Sequence, residues 1–121
     1  MNHLPQHTEK PWGSETLWAQ TEQYVGKILK VHSGEALSIQ YHNFKDETMY
    51  VLEGVGCINF YSLEDGRPTL LKKQLVKDGD SVHIPPTQIH NVEAITDMVI
   101  LEASTNHLDD LVRVRDRYNR N

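Results

Sequence analysis

Cysteine is nearly absent from this 121-residue chain. Cys57 stands alone, which excludes an internal disulfide, a Cys-based zinc site and a redox pair. No stretch comes near the run of about eighteen apolar residues that spans a bilayer, and the opening MNHLPQHTEKPWGSETLWAQ has no apolar core of a secretory signal. An excess of positive charge is missing too. Twelve Lys and Arg face seventeen Asp and Glu for a net −5, and the basic residues are scattered except near the end. That distribution argues against a grip on phosphate backbones. Repeats and low-complexity tracts are absent. The chain is therefore expected to be soluble and cytoplasmic, with no membrane or nucleic-acid partner.

At 38% hydrophobic and 24% charged, the composition is that of an ordinary globular domain. A chain of this length buries roughly 65% of its unfolded surface, enough for a core without metal or disulfide staples. Residues 1–9, with His3 and His7, are expected to be a flexible N-terminal segment, and residues 10–121 a single domain. Turn chemistry recurs at Ser33-Gly34, Glu53-Gly54, Asp65-Gly66, Asp78-Gly79-Asp80, Pro85-Pro86 and Thr96-Asp97. Between these points lie short runs rich in β-branched and aromatic residues, several alternating with period two, as at 24–31, 36–42, 48–52, 56–61, 70–76, 81–84 and 98–103. The spacing predicts six to eight strands in one closed or nearly closed sandwich, since many short antiparallel strands must hide their edges. Leu63 to Pro68 reads as a hairpin turn. At the tail, Asn106 is placed to cap a short helix, while Leu111 to Arg115 also alternates like an edge strand.

One constellation carries chemistry. Gln40 and His42 are two apart on a strand, so they share a face with Cα atoms about 6.7 Å apart. Glu47 can return to the same point if Asn43 to Asp46 makes a tight connection, and His90 opens a later strand. Each residue alone is also compatible with a solvated polar face. His32 reads as surface, and His83 as facing away from a core formed by Val82 and Ile84.

Taken together, the residues resemble the cupin superfamily. Gly34, five residues, Gln40, one residue, His42, four residues, Glu47, six residues, Gly54 is similar to the first cupin motif, with Gln where most members carry His. Gly79, five residues, Pro85, then His90 resembles the second motif, with Thr87 where Gly is usual and Ala94 where Asn is usual. The resemblance implies an all-β double-stranded β-helix, a jelly-roll barrel, in which Gln40, His42, Glu47 and His90 surround one metal. Lys10-Pro11-Trp12-Gly13, Leu37 to His42 and Asp109 to Arg120 are further similar to the cupin portion of type II phosphomannose isomerases, which is often fused to a GDP-mannose pyrophosphorylase domain.

Two imidazoles, a carboxylate and an amide oxygen suit Zn²⁺, Fe²⁺, Mn²⁺ or Ni²⁺, with zinc the first choice from the resemblance. The implied activity is interconversion of mannose 6-phosphate and fructose 6-phosphate by proton transfer through an enediolate. Glu102 has the chemistry of the base, or else of a surface carboxylate. Lys27, Lys10, Arg113, Arg115 and Arg120 are candidates to hold the phosphate, with Lys27 and Arg115 preferred. Trp12 serves either as a buried strut or as a stacking platform. Two other classes stay open: a non-catalytic, metal-containing sugar-binding or regulatory cupin, and an iron dioxygenase, to which three His would be better suited. Resemblance further implies a homodimer paired through edge strands, with residues 24–31 as the candidate edge.

Overall fold

The structure, a computed structural model, describes residues 4–118. Eleven strands follow one another: β1 (Gln6–Lys10), β2 (Gly13–Gln20), β3 (Val25–Val31), β4 (Ile39–Tyr41), β5 (Glu47–Glu53), β6 (Gly56–Glu64), β7 (Arg67–Val76), β8 (Ser81–Ile84), β9 (Ile89–Ala94), β10 (Met98–Ser104) and β11 (Val112–Arg115). They form a six-stranded sheet in the order β1-β2-β3-β10-β5-β8 and a five-stranded sheet in the order β11-β4-β9-β6-β7. Every pairing is antiparallel. No helix long and apolar enough to cross a membrane is present among the described residues.

Alternation decides what lies inside. Leu29 and Val31 on β3, Met49 and Val51 on β5, Val92 and Ala94 on β9, and Met98 and Ile100 on β10 are all buried in one apolar cluster, joined by Ile58, Val76, Val82 and Ile84. Each such side chain contributes about 1.5–3 kcal/mol when withdrawn from water. The same faces continue one residue pair further into polar side chains: Lys27 on β3, Glu47 on β5, His90 on β9 and Glu102 on β10. One half of the interior is thus apolar and the other polar. A one-residue slip in any of these strands would exchange the two faces, so the apolar half fixes the register that aims the polar half inward.

Tight turns have the residues their backbone needs. Asp65 and Gly66, at φ 51° and 73°, join β6 to β7 as a two-residue loop. At Gly54, φ is 102° and a Cβ would lie 2.2 Å from the Asp97 carbonyl oxygen. Thr87 takes φ 70° although it is β-branched, and its N–H donates to the His42 carbonyl at 2.6 Å. The motif position usually filled by Gly keeps its left-handed turn with Thr.

Several expectations need correction. Eleven strands replace the six to eight read from turn spacing. Residues 6–9, part of the 1–9 segment expected to be flexible, belong to an edge strand, β1, paired with β2 from Gln6↔Leu17 to Lys10↔Gly13. The tail is a strand: Asn106 accepts a hydrogen bond from the Gln20 amide at 3.2 Å, and β11 lies flat against β4. β3 cannot serve as a free edge for a dimer, because β2 and β10 occupy both its sides.

Candidate metal centre

His42, just beyond β4, Glu47 at the start of β5, and His90 on β9 come together inside the barrel. One ligand atom from each lies within 4.8 Å of the others, and all three side chains are buried. His42 Nδ1 donates to the Asp110 carbonyl at 2.5 Å, and His90 Nδ1 donates to the Gln88 carbonyl at 2.8 Å. A carbonyl oxygen can only accept, so in each neutral ring the proton sits on Nδ1 and the lone pair on Nε2. His42 Nε2 lies 3.0 Å from Glu47 Oε2. His42 Nε2, His90 Nε2 and both Glu47 carboxylate oxygens are buried without hydrogen-bond partners. Burial of so many unpaired acceptors is costly, and a divalent cation bound by all three would relieve it. The donor set fits a metal.

Electrostatics favour the ligand protonation states. Burial holds the His90 imidazole below its ordinary range, so it is neutral. Burial opposes ionisation of Glu47, but the His42 imidazole and Lys45 ammonium outweigh it and bring the carboxyl down to about 2. Gln40 sits directly opposite His90 in the β4–β9 pair and opposite Arg113 in the β4–β11 pair. Its Oε1 accepts a hydrogen bond from Ser38 Oγ at 2.7 Å.

Beside the three ligands lies a cavity of about 90 Å³ lined by Lys10, Lys27, Gln40, Lys45, Glu102 and Arg113 together with Trp12 and Leu108. Glu102 is buried, and burial first and the Glu47 charge second push its carboxyl above the usual range. Lys27, directly across from Glu102 in the β3–β10 pair, places its ammonium 3.2 Å from Glu15. Trp12 is 4% exposed and packs in the core while forming part of the cavity wall. His83 faces away, 2.6 Å from Asp46, and His32 is exposed.

Arg115 is not in this cavity. It lines a groove on the opposite side of the five-stranded sheet with Tyr61, Asn91 and Glu93. Arg113 pairs with Gln40 and Arg115 with Ile39, because a bulge between the two arginines inserts a residue and reverses the parity of the strand. Arg120 lies outside the described residues.

Two residues escape the reading of the sequence. Lys45 is 6% exposed, with its ammonium 3.1 Å from Glu102 and 3.5 Å from Glu47. Its signal was the alternation Lys45, Glu47, Met49, Val51, which places it on the inward face although it precedes the strand. Two carboxylates keep the ammonium charged against the opposing effect of burial, and its pKa is raised. Asp110 is the other: its carboxylate accepts the backbone N–H groups of Asn43, Phe44 and Lys45. Those bonds, led by Phe44, bring it down to about 2. No local pattern announces such a contact across more than sixty residues of sequence.

Comparison with known proteins agrees with this architecture. A mannose-1-phosphate guanylyltransferase 2 of Escherichia coli O157:H7 is 30% identical over 114 residues, covering 90% of this chain and 22% of that protein. The chain thus spans less than a quarter of that curated relative. The capsular polysaccharide assembling protein CapF of Staphylococcus aureus superposes with a TM-score of 0.78 at 21% identity, over 95% of this chain and 33% of that one. An RmlC-like cupin from Shewanella frigidimarina gives 0.70 at 14% identity, over 85% of each chain. Residues 1–116 match the family model described as mannose-6-phosphate isomerase C-terminal. The two-sheet barrel, the inward His42, Glu47 and His90, and a family match over nearly the whole length lead to one assignment: this chain is a cupin and belongs to the mannose-6-phosphate isomerase C-terminal family.

Proposed function

We propose that the chain is a metal-dependent sugar-phosphate isomerase that interconverts mannose 6-phosphate and fructose 6-phosphate. The observation that supports this reading best is the placing of a buried cluster of three metal-type ligands beside one cavity, reached by His42 and lined by a buried carboxylate of raised pKa and several cations. His42, Glu47 and His90 would hold the ion, with the Gln40 amide oxygen as a fourth ligand once it turns from Ser38. Zinc is the first choice, and iron, manganese or nickel suit the same donors. A bound divalent ion would supply Lewis-acid polarisation of the sugar oxygens and disperse developing negative charge.

The chain's own groups would do the rest. Glu102 removes the C2 proton and returns it to C1 while the O2 hydroxyl proton passes to O1, so that the carbonyl moves from C1 to C2 with no net gain or loss of protons. The Lys45 ammonium, 3.1 Å away, opposes the burial and the Glu47 charge that favour the protonated form of Glu102, and so keeps its proton-accepting form within reach. Lys10, Lys27 and Arg113 carry the phosphate, and Leu108 and Trp12 exclude water from the reacting carbons.

The test is deuterium exchange from C2-labelled mannose 6-phosphate by protein of verified metal content. Wild type should release label and form fructose 6-phosphate, whereas Glu102→Gln should keep the metal and lose turnover. A fully loaded wild type that releases no label would sink the proposal. A second reading, a sugar-binding domain without turnover, is favoured by the small cavity of about 90 Å³. It would show hexose-phosphate affinity without exchange.

A further inference from the structure

The β4–β5 connection, residues 42–46, and the tail loop, residues 105–111, meet beside the cavity. Asp110 makes the main junction. Its Oδ1 accepts the Asn43 N–H at 2.9 Å, and its Oδ2 accepts those of Phe44 and Lys45 at 2.7 and 3.0 Å. Its main-chain carbonyl accepts His42 Nδ1–H. Three consecutive amides converging on one carboxylate form an anion-holding concavity, and they fix the path of the chain that leads into Lys45 and Glu47. Thr105 ties the same two segments a second time, accepting the Asp46 N–H at 3.1 Å on its hydroxyl and donating its own N–H to the Asp46 carbonyl at 3.0 Å. That second tie touches neither His42 nor residues 43–45. Between the two ties the loop carries Leu108 into the cavity wall.

We infer that Asp110 is a positioning residue of the metal centre. One residue holds both the proton that sets the His42 tautomer and the amides that aim Glu47, so seating of the tail loop and readiness of the ligands are a single event. The inference rests on reading His42, Glu47 and His90 as the metal site. Partners of this kind orient a ligand imidazole and raise its basicity, and their loss weakens metal affinity by about 10–100-fold.

The experiment compares the full chain with its Asp110→Ala, Asp110→Asn and Thr105→Ala variants. Zinc dissociation constants are measured by competition with a chromophoric chelator. The His42 and His90 tautomers are read from long-range ¹⁵N–¹H NMR of the metal-free proteins, and thermal melts establish that each variant is folded. Asp110→Ala should bind zinc about 10–100-fold more weakly and lose the pure Nδ1–H form of His42, while His90 keeps its own. Thr105→Ala should match wild type in both respects. Should Asp110→Ala not fold, Asp110→Asn, which keeps the side-chain shape and one acceptor oxygen, gives the same comparison. Unchanged zinc affinity and tautomer in the Asp110 variants would overturn the inference, as would an equal loss in Thr105→Ala. Were wild type to bind no zinc, the metal reading would fall, and the His42 tautomer alone would decide for or against the role of Asp110.

Discussion

Replacing Lys45 by Met leaves Glu47 and Glu102 buried without the ammonium that sits 3.5 and 3.1 Å from them. Removing one partner from a buried ion pair costs about 3–5 kcal/mol when the remaining charge has no escape. Here Glu102 has one, since it can take up a proton. From its reference value of 4.5, protonation at pH 7 costs about 3.4 kcal/mol, and at pH 5.5 about 1.4 kcal/mol, at roughly 1.36 kcal/mol per unit. These figures cap the loss. The sign follows from linkage: a carboxyl whose folded pKa lies above its unfolded value favours the folded state most below the unfolded pKa, and that advantage is lost as pH rises through the folded pKa. The Lys45→Met variant, with Glu102 raised further, should therefore be weakened more at pH 7 than at pH 5.5. Because the Glu102 carboxyl lies above 4.5, the expected losses are at most about 3 kcal/mol at pH 7 and at most about 1 kcal/mol at pH 5.5, the former equivalent to a drop of no more than about 12 °C in Tm for a chain of this size. Urea unfolding of chelator-stripped protein at the two pH values measures both. Adding Glu102→Gln to Lys45→Met should recover most of the pH 7 loss. A loss below about 1 kcal/mol at pH 7, or one equal at both pH values, would refute the argument that the lysine neutralises buried charge.

Two further outcomes follow from the strand geometry. Arg113→Ala should raise KM for the sugar phosphate about 10–100-fold with unchanged metal content, as loss of a charge-assisted contact predicts, whereas Arg115→Ala, on the outer face, should leave KM where it was. Steady-state kinetics with metal analysis of each variant tests the pair, and an Arg115 effect equal to that of Arg113 would contradict the bulge argument. Thr87→Gly should be neutral or stabilising by up to about 1 kcal/mol, because the strain of a β-branched residue at φ 70° is relieved and partly offset by the extra backbone entropy of glycine in the unfolded chain. Thermal melting checks it, and a drop in Tm would show that the Thr side chain contributes more than its backbone strain costs.

Local chemistry was enough to read many of the turns and the alternation of several strands. Gly34, Gly54 and Gly79 stand where φ is positive, and the alternation through Leu29-Val31 and Met98-Ile100 marks core faces before any partner is known. Period two puts Gln40 and His42 on one face, but the ligand set of Gln40, His42, Glu47 and His90 was implied by the resemblance to the two cupin motifs and not by local spacing. β1 and β2 were not legible as strands because QHTEK and GSETLWAQ are polar or mixed and gain their order from each other and from β3.

What the sequence determined by itself is the periodicity, hence the all-β class of fold; the metal-type side chains were named by their match to the family motifs. Only the tertiary structure decided that Arg113 turns inward and Arg115 outward, that Lys45 bridges two carboxylates, and that Asp110 holds His42 and the amides beyond it. A bulge exists only relative to a neighbouring strand, and a buried charge is settled by partners far away in the chain. Those are properties of pairs of segments, and no single segment contains them.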